Sequence, residues 1–418
     1  MPVFRVIDQA ELAARASHFG ALVFTEFTLV GTVLALLAWW LAGRLTPPAR
    51  EYSLLALSIA VLAWFGSITL AVAWVAYAVV FHAAVERTRA RWLSMLGVGV
   101  LLTAMIVLPV AAIGPLGERG VHVRAFTAFA TNMAVLRFHA YAWDRWHGRA
   151  EPQSLAAFLL AMFFFPTFVN GPVEVPREFA AAWVGPERAI RRAAVRDGVA
   201  RVALGVAKLL AVALALPPNW TTLLESAGDA PALALWGWSL LLYVWFFLSF
   251  SAWTDVGIGL GLLCGHRVPE NFHSPWLARD TADFWRRWHV TFGIWLRDYV
   301  YIPLGGRRRH RALNVLVTFL VSAAWHIWGS LKLLGFGFFP VHAWDGLLVW
   351  GLLNAVGVLA AAAVARAVGA AGAWGVRAAQ VGTLLFASLC WLAFFLPPGI
   401  SFSTFVAMVG RMLWPVAS

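Results

Sequence analysis

The feature that most constrains this chain is a succession of apolar stretches, each long enough to cross lipid as a helix. A spanning helix takes about 20 mostly apolar residues. Stretches of that kind run near 21–43, 92–113, 121–142, 153–171, 200–217, 232–263, 312–330, 345–370, 378–396 and 400–416. Residues 53–85 exceed one simple span, and Gly66 in their middle predicts two short or bent helices there. The expected fold is therefore all-α and embedded in a bilayer, with about ten to twelve transmembrane helices.

Composition agrees. Hydrophobic residues make up 61% of the 418 and charged residues 12%. A soluble domain runs nearer 45–50% apolar and about 25% charged. No internal repeat, low-complexity tract or appended soluble domain is visible, so residues 1–418 read as one polytopic domain. Any chemistry is then expected within the membrane region or with a separate partner.

The net charge of +12 comes from arginines in short runs. These are Arg87, Arg89 and Arg91; Arg188, Arg191, Arg192 and Arg196; and Arg307, Arg308, Arg309 and Arg311. The positive-inside rule assigns loops 86–91, 185–201 and 305–311 to the cytoplasm. Because the charge decorates loops and forms no basic domain, nucleic acid is not an expected partner. Cys264 and Cys390 sit in apolar surroundings and suggest neither a disulfide framework nor a metal site. No cleavable signal peptide is apparent. Residues 1–20, with Arg5, Asp8, Glu11, Arg15 and His18, read as an amphipathic helix on the membrane surface.

Residues 266–311 break the pattern. The run from Asp283 to Tyr299 mixes aromatics with five full charges: Asp283, Arg286, Arg287, Arg297 and Asp298. At about 2.5–3.5 kcal/mol per charge, a lipid-exposed span would cost on the order of 12–17 kcal/mol. Helical spacing offers an alternative. Phe284, Trp288, Thr291 and Trp295 share one face, and Arg286, His289, Gly293 and Arg297 a neighbouring polar one. Asp283 and Arg287 are spaced to pair one turn apart. Two readings stay open: a re-entrant helix buried against protein, or a lipid-surface anchor without chemistry.

His326 and Asp255 lie inside apolar runs. His326, between Trp325 and Trp328, is a functional candidate because an intramembrane ionisable group is costly to keep. Flanking tryptophans would desolvate the imidazole and favour the neutral form that a general base needs. The alternative is a histidine that only ties two helices together. Asp255 precedes Gly257, Gly259 and Gly261, which allow either close helix packing or a helix break. A loop arginine pairing with Asp255 for structural reasons is favoured over a catalytic role.

At these residues the chain resembles the membrane-bound O-acyltransferase (MBOAT) family, in its bacterial branch of alginate O-acetyltransferases and teichoic acid D-alanyl transfer proteins. The resemblance is carried by Asp283–His289 followed by Trp295–Gly306, and by Trp325-His326. Phe165-Pro166 through Asn170-Gly171-Pro172 and Phe250 through Gly259 support it more weakly. It implies spanning helices around a central tunnel, with 266–311 as a re-entrant, cytoplasm-facing region. His326 would be the catalytic histidine and His289 a second site residue. Trp285, Arg286, Trp288, Arg297, Asp298, Tyr301 and Trp325 would contact substrate. No bound cofactor or metal is implied. The donor would be a cytoplasmic acyl thioester, acetyl-CoA or an acyl carrier protein. The acceptor would be a hydroxyl, with an extracytoplasmic acyltransferase or polysaccharide-synthesis partner. The setting would be the bacterial inner membrane, crossed many times. The chain departs from the family at Ile327, where glycine is usual, in a longer Leu331–Asp345 stretch, and in arginines after Gly306.

The competing functions are D-alanyl transfer, a transporter using Asp255, Glu26 and Lys208, and a scaffold without activity. The arginine- and alanine-rich composition weakly disfavours D-alanyl transfer.

Overall fold

Spacing of glycine, proline and capping residues sets where the apolar runs become separate helices. The structure, a computed structural model, describes residues 26–40, 45–88, 117–183, 188–215, 230–332, 344–370, 372–395 and 402–414. Among these residues there is no β-strand, only isolated bridges at Trp183–His266 and Phe272–Trp288. The expected surface helix 1–20 and the expected span 92–113 lie outside the described residues.

The chain divides into two compact units, the first holding Phe19–Lys208 and Ser251–Glu270. Its helices begin with α1 (Glu26–Trp40), α2 (Pro47–Phe65) and α3 (Ile68–Thr88). The break at Gly66 falls where the sequence places it. Ser67 then accepts the Leu70 N–H at 3.0 Å and so starts the next helix. Next come α4 (Gly117–Trp146), α5 (Leu155–Phe163), α6 (Arg188–Ala215) and α7 (Ala232–Leu263). Residues 209–215 of α6 and 232–250 of α7 belong to the second unit.

The expected span 153–171 is not one helix. α5 stops at Phe163, and a separate turn, Phe165–Phe168, follows. Pro166 has no N–H for the Met162 carbonyl and its ring would crowd that oxygen, so α5 cannot continue; the chain leaves helical geometry at Phe164, φ −52° and ψ 105°. The buried carbonyls of Ala161 and Met162 at the helix end instead accept from the buried Arg137 guanidinium, at 3.1 and 3.2 Å.

The glycines after Asp255 do not break α7; they let helices meet. A Cβ on Gly259 would lie 2.7 Å from the Gly198 carbonyl oxygen of α6, so only glycine permits this approach. Asp255, buried, lies 2.6 Å from Lys208 Nζ and 2.7 Å from Arg201 Nε. Both cations belong to α6, a helix, and not to a loop as the sequence reading expects.

The second unit holds the described residues within Leu209–Phe250 and Asn271–Ser418. After α7 come α8 (Thr281–Trp285), α9 (Val290–Leu296), α10 (Arg311–Lys332), α11 (Trp344–Ala370), α12 (Gly372–Phe394) and α13 (Phe402–Leu413). Its core is aromatic: Trp288, Trp350, Trp391, Phe284, Phe394 and Phe395 are all buried.

Among the described residues, four helices are long and apolar enough to cross a membrane: Ile68–Arg87, Ala232–Leu263, Asp345–Val368 and Gly372–Phe394. Three shorter apolar helices accompany them: Glu26–Trp40, Arg311–Ile327 and Ser403–Leu413. Leu214, Leu233 and Trp374 are each more than four-fifths exposed, as residues facing lipid rather than water would be. The protein is an all-α membrane protein.

Candidate functional site

The 283–299 run folds differently from the single amphipathic helix that its periodicity predicts. The expected apolar face is buried, since Phe284, Trp288, Thr291 and Trp295 are all below 9% exposure. The Asp283–Arg287 pair also forms, at 3.1 Å. The helix itself is broken. Asp280 caps α8 by accepting the Asp283 N–H at 2.7 Å, and α8 ends at Trp285. His289 then adopts a left-handed conformation, φ 46° and ψ 50°, and becomes the N-cap of α9. A non-glycine residue there costs roughly 1–2 kcal/mol and persists only where its surroundings enforce it.

The enforcing element is the segment 271–273. Val290 N–H donates to the Asn271 carbonyl at 3.0 Å, and His273 N–H to the Arg287 carbonyl at 2.9 Å. Phe272 bridges Trp288 between them. The Asn271 side chain lies nearest His289: its Oδ1 is 3.1 Å from His289 Nδ1 and accepts from Thr291 Oγ1 at 2.8 Å.

His326 sits on α10, and its Nδ1 lies 2.7 Å from the Ser322 carbonyl oxygen one turn earlier. A carbonyl only accepts, so this nitrogen carries the proton and Nε2 the lone pair. Trp350, Phe394 and Phe292 pack edge-on to the ring, with centroids at 5.5, 5.2 and 6.0 Å. Phe292 also stacks on His289 at 5.1 Å, so one phenyl ring contacts both imidazoles. Phe250 closes on His289 from α7 at 4.8 Å. Both imidazoles stay half-buried. Burial pushes the His289 imidazole down to about 3, with His326 adding to the effect. A ring so held is uncharged near neutral pH and keeps a nitrogen lone pair.

The structure brings several sequence-predicted residues to this cluster. Trp325 lies beside Phe292, with centroids 6.5 Å apart. Trp285 packs on Trp350 and donates from Nε1 to Asn354 Oδ1 at 3.0 Å. Trp288 is fully buried among Tyr243, Phe246, Phe272 and Trp391, so it shapes the site through packing. Arg286 and Arg297 are exposed, each beside a carboxylate, Asp283 and Asp298. Asp298 is buried beneath Arg297. Tyr301 ends a π-helical turn, and its carbonyl accepts the Gly306 N–H at 3.0 Å. The side chain of Trp328 lies outside the described residues.

Sequence reasoning misses Asn271, Asn354 and the shared ring of Phe292. Asn354 carries a signal in retrospect: it is a polar residue inside the apolar run 345–370 that must be satisfied if buried. Among the described residues, no group of histidine, cysteine or carboxylate side chains is arranged to hold a metal ion.

Comparison with known proteins places the chain in a family. The profile of MBOAT, the membrane-bound O-acyltransferase family, matches residues 21–371. The chain is 28% identical over 284 residues to the "Probable alginate O-acetylase AlgI" of Pseudomonas fluorescens, covering 64% of this chain and 55% of that protein. It is 37% identical over 117 residues to the "Peptidoglycan O-acetyltransferase" of Helicobacter pylori, covering 26% of this chain and 22% of that one. It is 25% identical over 194 residues to the "Teichoic acid D-alanyltransferase" of Bacillus subtilis, covering 42% and 47%. The chain thus spans about half or less of the length of these relatives. It belongs to the membrane-bound O-acyltransferase family.

Proposed function

We propose that this protein moves a short acyl group, acetyl before D-alanyl, from a cytoplasmic thioester to a hydroxyl, with His326 as general base. The observation that carries the reading is the pair of half-buried imidazoles on one phenyl ring, His326 having its Nδ1 on a carbonyl. In the reaction, His326 Nε2 takes the acceptor's hydroxyl proton while the oxygen attacks the thioester carbonyl carbon. The tetrahedral intermediate collapses with cleavage of the C–S bond. The departing thiolate then recovers the proton from Nε2, so the base is regenerated. Base catalysis of this kind is worth about 10²–10⁴-fold.

Acetyl is favoured over D-alanyl because the alginate O-acetylases match at 28–32% identity and the D-alanyltransferases at 25–27%. The donor is coenzyme A or an acyl carrier protein, and the exposed arginines 307–309 and 311 supply positive charge for its phosphates or acidic surface. The acceptor belongs to exopolysaccharide or cell wall, reached through a separate extracytoplasmic partner. The setting is the bacterial inner membrane. A transporter built on Asp255 and Lys208 is disfavoured, because these two residues pair with each other at 2.6 Å within one helix packing.

The test is release of free CoA from acetyl-CoA by purified wild type and His326→Ala. Release by wild type alone is expected. Equal release by both would remove His326 from the chemistry, and none from either with any candidate donor would refute the reading.

A further inference from the structure

His289 occupies a conformation that it would not choose by itself, and one side chain meets both its ring and the residue beyond the turn. Asn271 is fully buried. Its Oδ1 faces Thr291 Oγ1 at 2.8 Å, the Thr291 backbone N–H at 3.3 Å and His289 Nδ1 at 3.1 Å. The backbone N–H can only donate, so the atom facing it must be the carboxamide oxygen; a flipped amide would set donor against donor. That oxygen in turn only accepts. His289 Nδ1 therefore carries the proton, and Nε2 the lone pair.

We propose that Asn271 is a positioning residue for acyl transfer, holding His289 in its left-handed turn as the Nδ1–H tautomer so that Nε2 remains an acceptor. This rests on the acyl-transfer reading and on His289 taking part in it. The backbone of the same residue contributes, since the Asn271 carbonyl receives the Val290 N–H immediately after the turn. Asn271 thus sets both where the ring stands and which of its nitrogens can accept. Its other amide atom, Nδ2, has no hydrogen-bond partner among the described residues. An aspartate there therefore keeps every contact made by Oδ1 and loses none made by Nδ2. What it adds is a negative charge beside the His289 Nδ1–H. The other titratable group acting on His289 is His326, from α10; the Phe250, Phe292 and Asn271 side chains packed against it carry no charge.

The experiment is the pH profile of thiol release from acetyl-CoA by wild type, Asn271→Asp, Asn271→Ala and His289→Ala. A carboxylate beside the imidazole stabilises its protonated form, so the acidic limb of the Asn271→Asp profile should move up by about 1–3 pH units. Asn271→Ala should lose about 10–100-fold in kcat with KM changed less than about threefold. A purely structural Asn271 would lower the yield of folded protein without moving the limb. Superimposable wild-type and Asn271→Asp profiles would therefore overturn the proposal while acyl transfer stood. Full activity of His289→Ala would remove the role that Asn271 is proposed to support. Absence of thiol release from wild type would instead refute the acyl-transfer reading beneath both.

Discussion

Replacing Glu174 by glutamine tests whether charge holds the buried polar chain inside the first unit. Glu174 is 6% exposed. Its Oε1 lies 2.6 Å from His266 Nε2, and its Oε2 accepts from Thr167 Oγ1 at 2.8 Å. Thr167 Oγ1 accepts in turn from the buried Arg137 at 2.7 Å. Arg137 also donates to the carbonyls of Ala161, Met162 and Thr167, so it fastens the end of α5 and the turn after it to α4. Glutamine keeps the shape but leaves the Arg137 guanidinium without the carboxylate across Thr167. Removing one partner of a buried charge pair costs about 3–5 kcal/mol. At about 2–4 °C per kcal/mol for a unit of this size, the apparent unfolding midpoint should fall by roughly 6–20 °C. Tryptophan fluorescence of detergent-solubilised protein during heating reads this directly. The sign of the pH dependence follows. Burial opposes the charge on Glu174, but His266 beside it and Arg137 beyond Thr167 hold its carboxyl below the usual 4.5. A lowered folded value gives stability that is present above pH 4.5 and lost as pH falls below it. The gap between wild type and Glu174→Gln should therefore be full at pH 7 and close in acid. A midpoint within about 2 °C of wild type at pH 7, or a gap that widens in acid, would refute the argument.

Four further outcomes are expected. His326→Ala should abolish thiol release from acetyl-CoA while the detergent elution profile and unfolding midpoint stay close to wild type. Asp255→Asn should lower the unfolding midpoint while turnover per folded molecule stays within about twofold, because the Arg201 and Lys208 pairing is structural. Gly259→Val should prevent the close approach to Gly198 and reduce the yield of folded protein, an overpacking cost of about 1–3 kcal/mol or more. Trp285→Phe keeps the ring packing but leaves the buried Asn354 oxygen without its donor, which should cost about 1–3 kcal/mol in thermal unfolding.

Much of this fold is legible in the sequence because lipid imposes a length on every helix. The runs 232–263, 312–330 and 345–370 match α7, α10 and α11 almost to the residue. Gly66 marks a real break for the reason that sequence offers, since glycine weakens helices. What periodicity cannot see is a turn that inverts a helix while keeping its buried side buried. Phe284, Trp288, Thr291 and Trp295 satisfy both a continuous helix and the broken one. Only long-range pairing with 271–273 decides between them, and nothing local in the 283–299 run announces that partner. Arg137 is a different kind of omission. It is an ionisable residue in the middle of the apolar run 121–142, the same signal that singles out His326, and it leads to Glu174 and His266.

The tautomers bear on which group could stabilise the oxyanion of the proposed reaction, for which His289 and Arg297 are the nearest candidates by residue type. With Nδ1 protonated in both rings, each neutral imidazole offers a lone pair at Nε2 and no proton there. A thioester carbonyl also offers only lone pairs, so neither histidine can hydrogen-bond to it before proton transfer. Arg297 does not fill the gap as placed, because its side chain is 58% exposed and directed to Asp298 at 2.7 Å. In the proposed reaction the developing negative charge would then meet a donor such as an indole or backbone N–H, or the imidazolium that His326 would become on taking the hydroxyl proton. In the last case base and oxyanion partner are the same residue at successive moments. His326→Gln separates these duties, since glutamine has an N–H to donate and no basicity. Thiol release by His326→Gln at 10-fold or more above His326→Ala would assign the larger share to charge stabilisation; equal, negligible rates would assign it to proton removal.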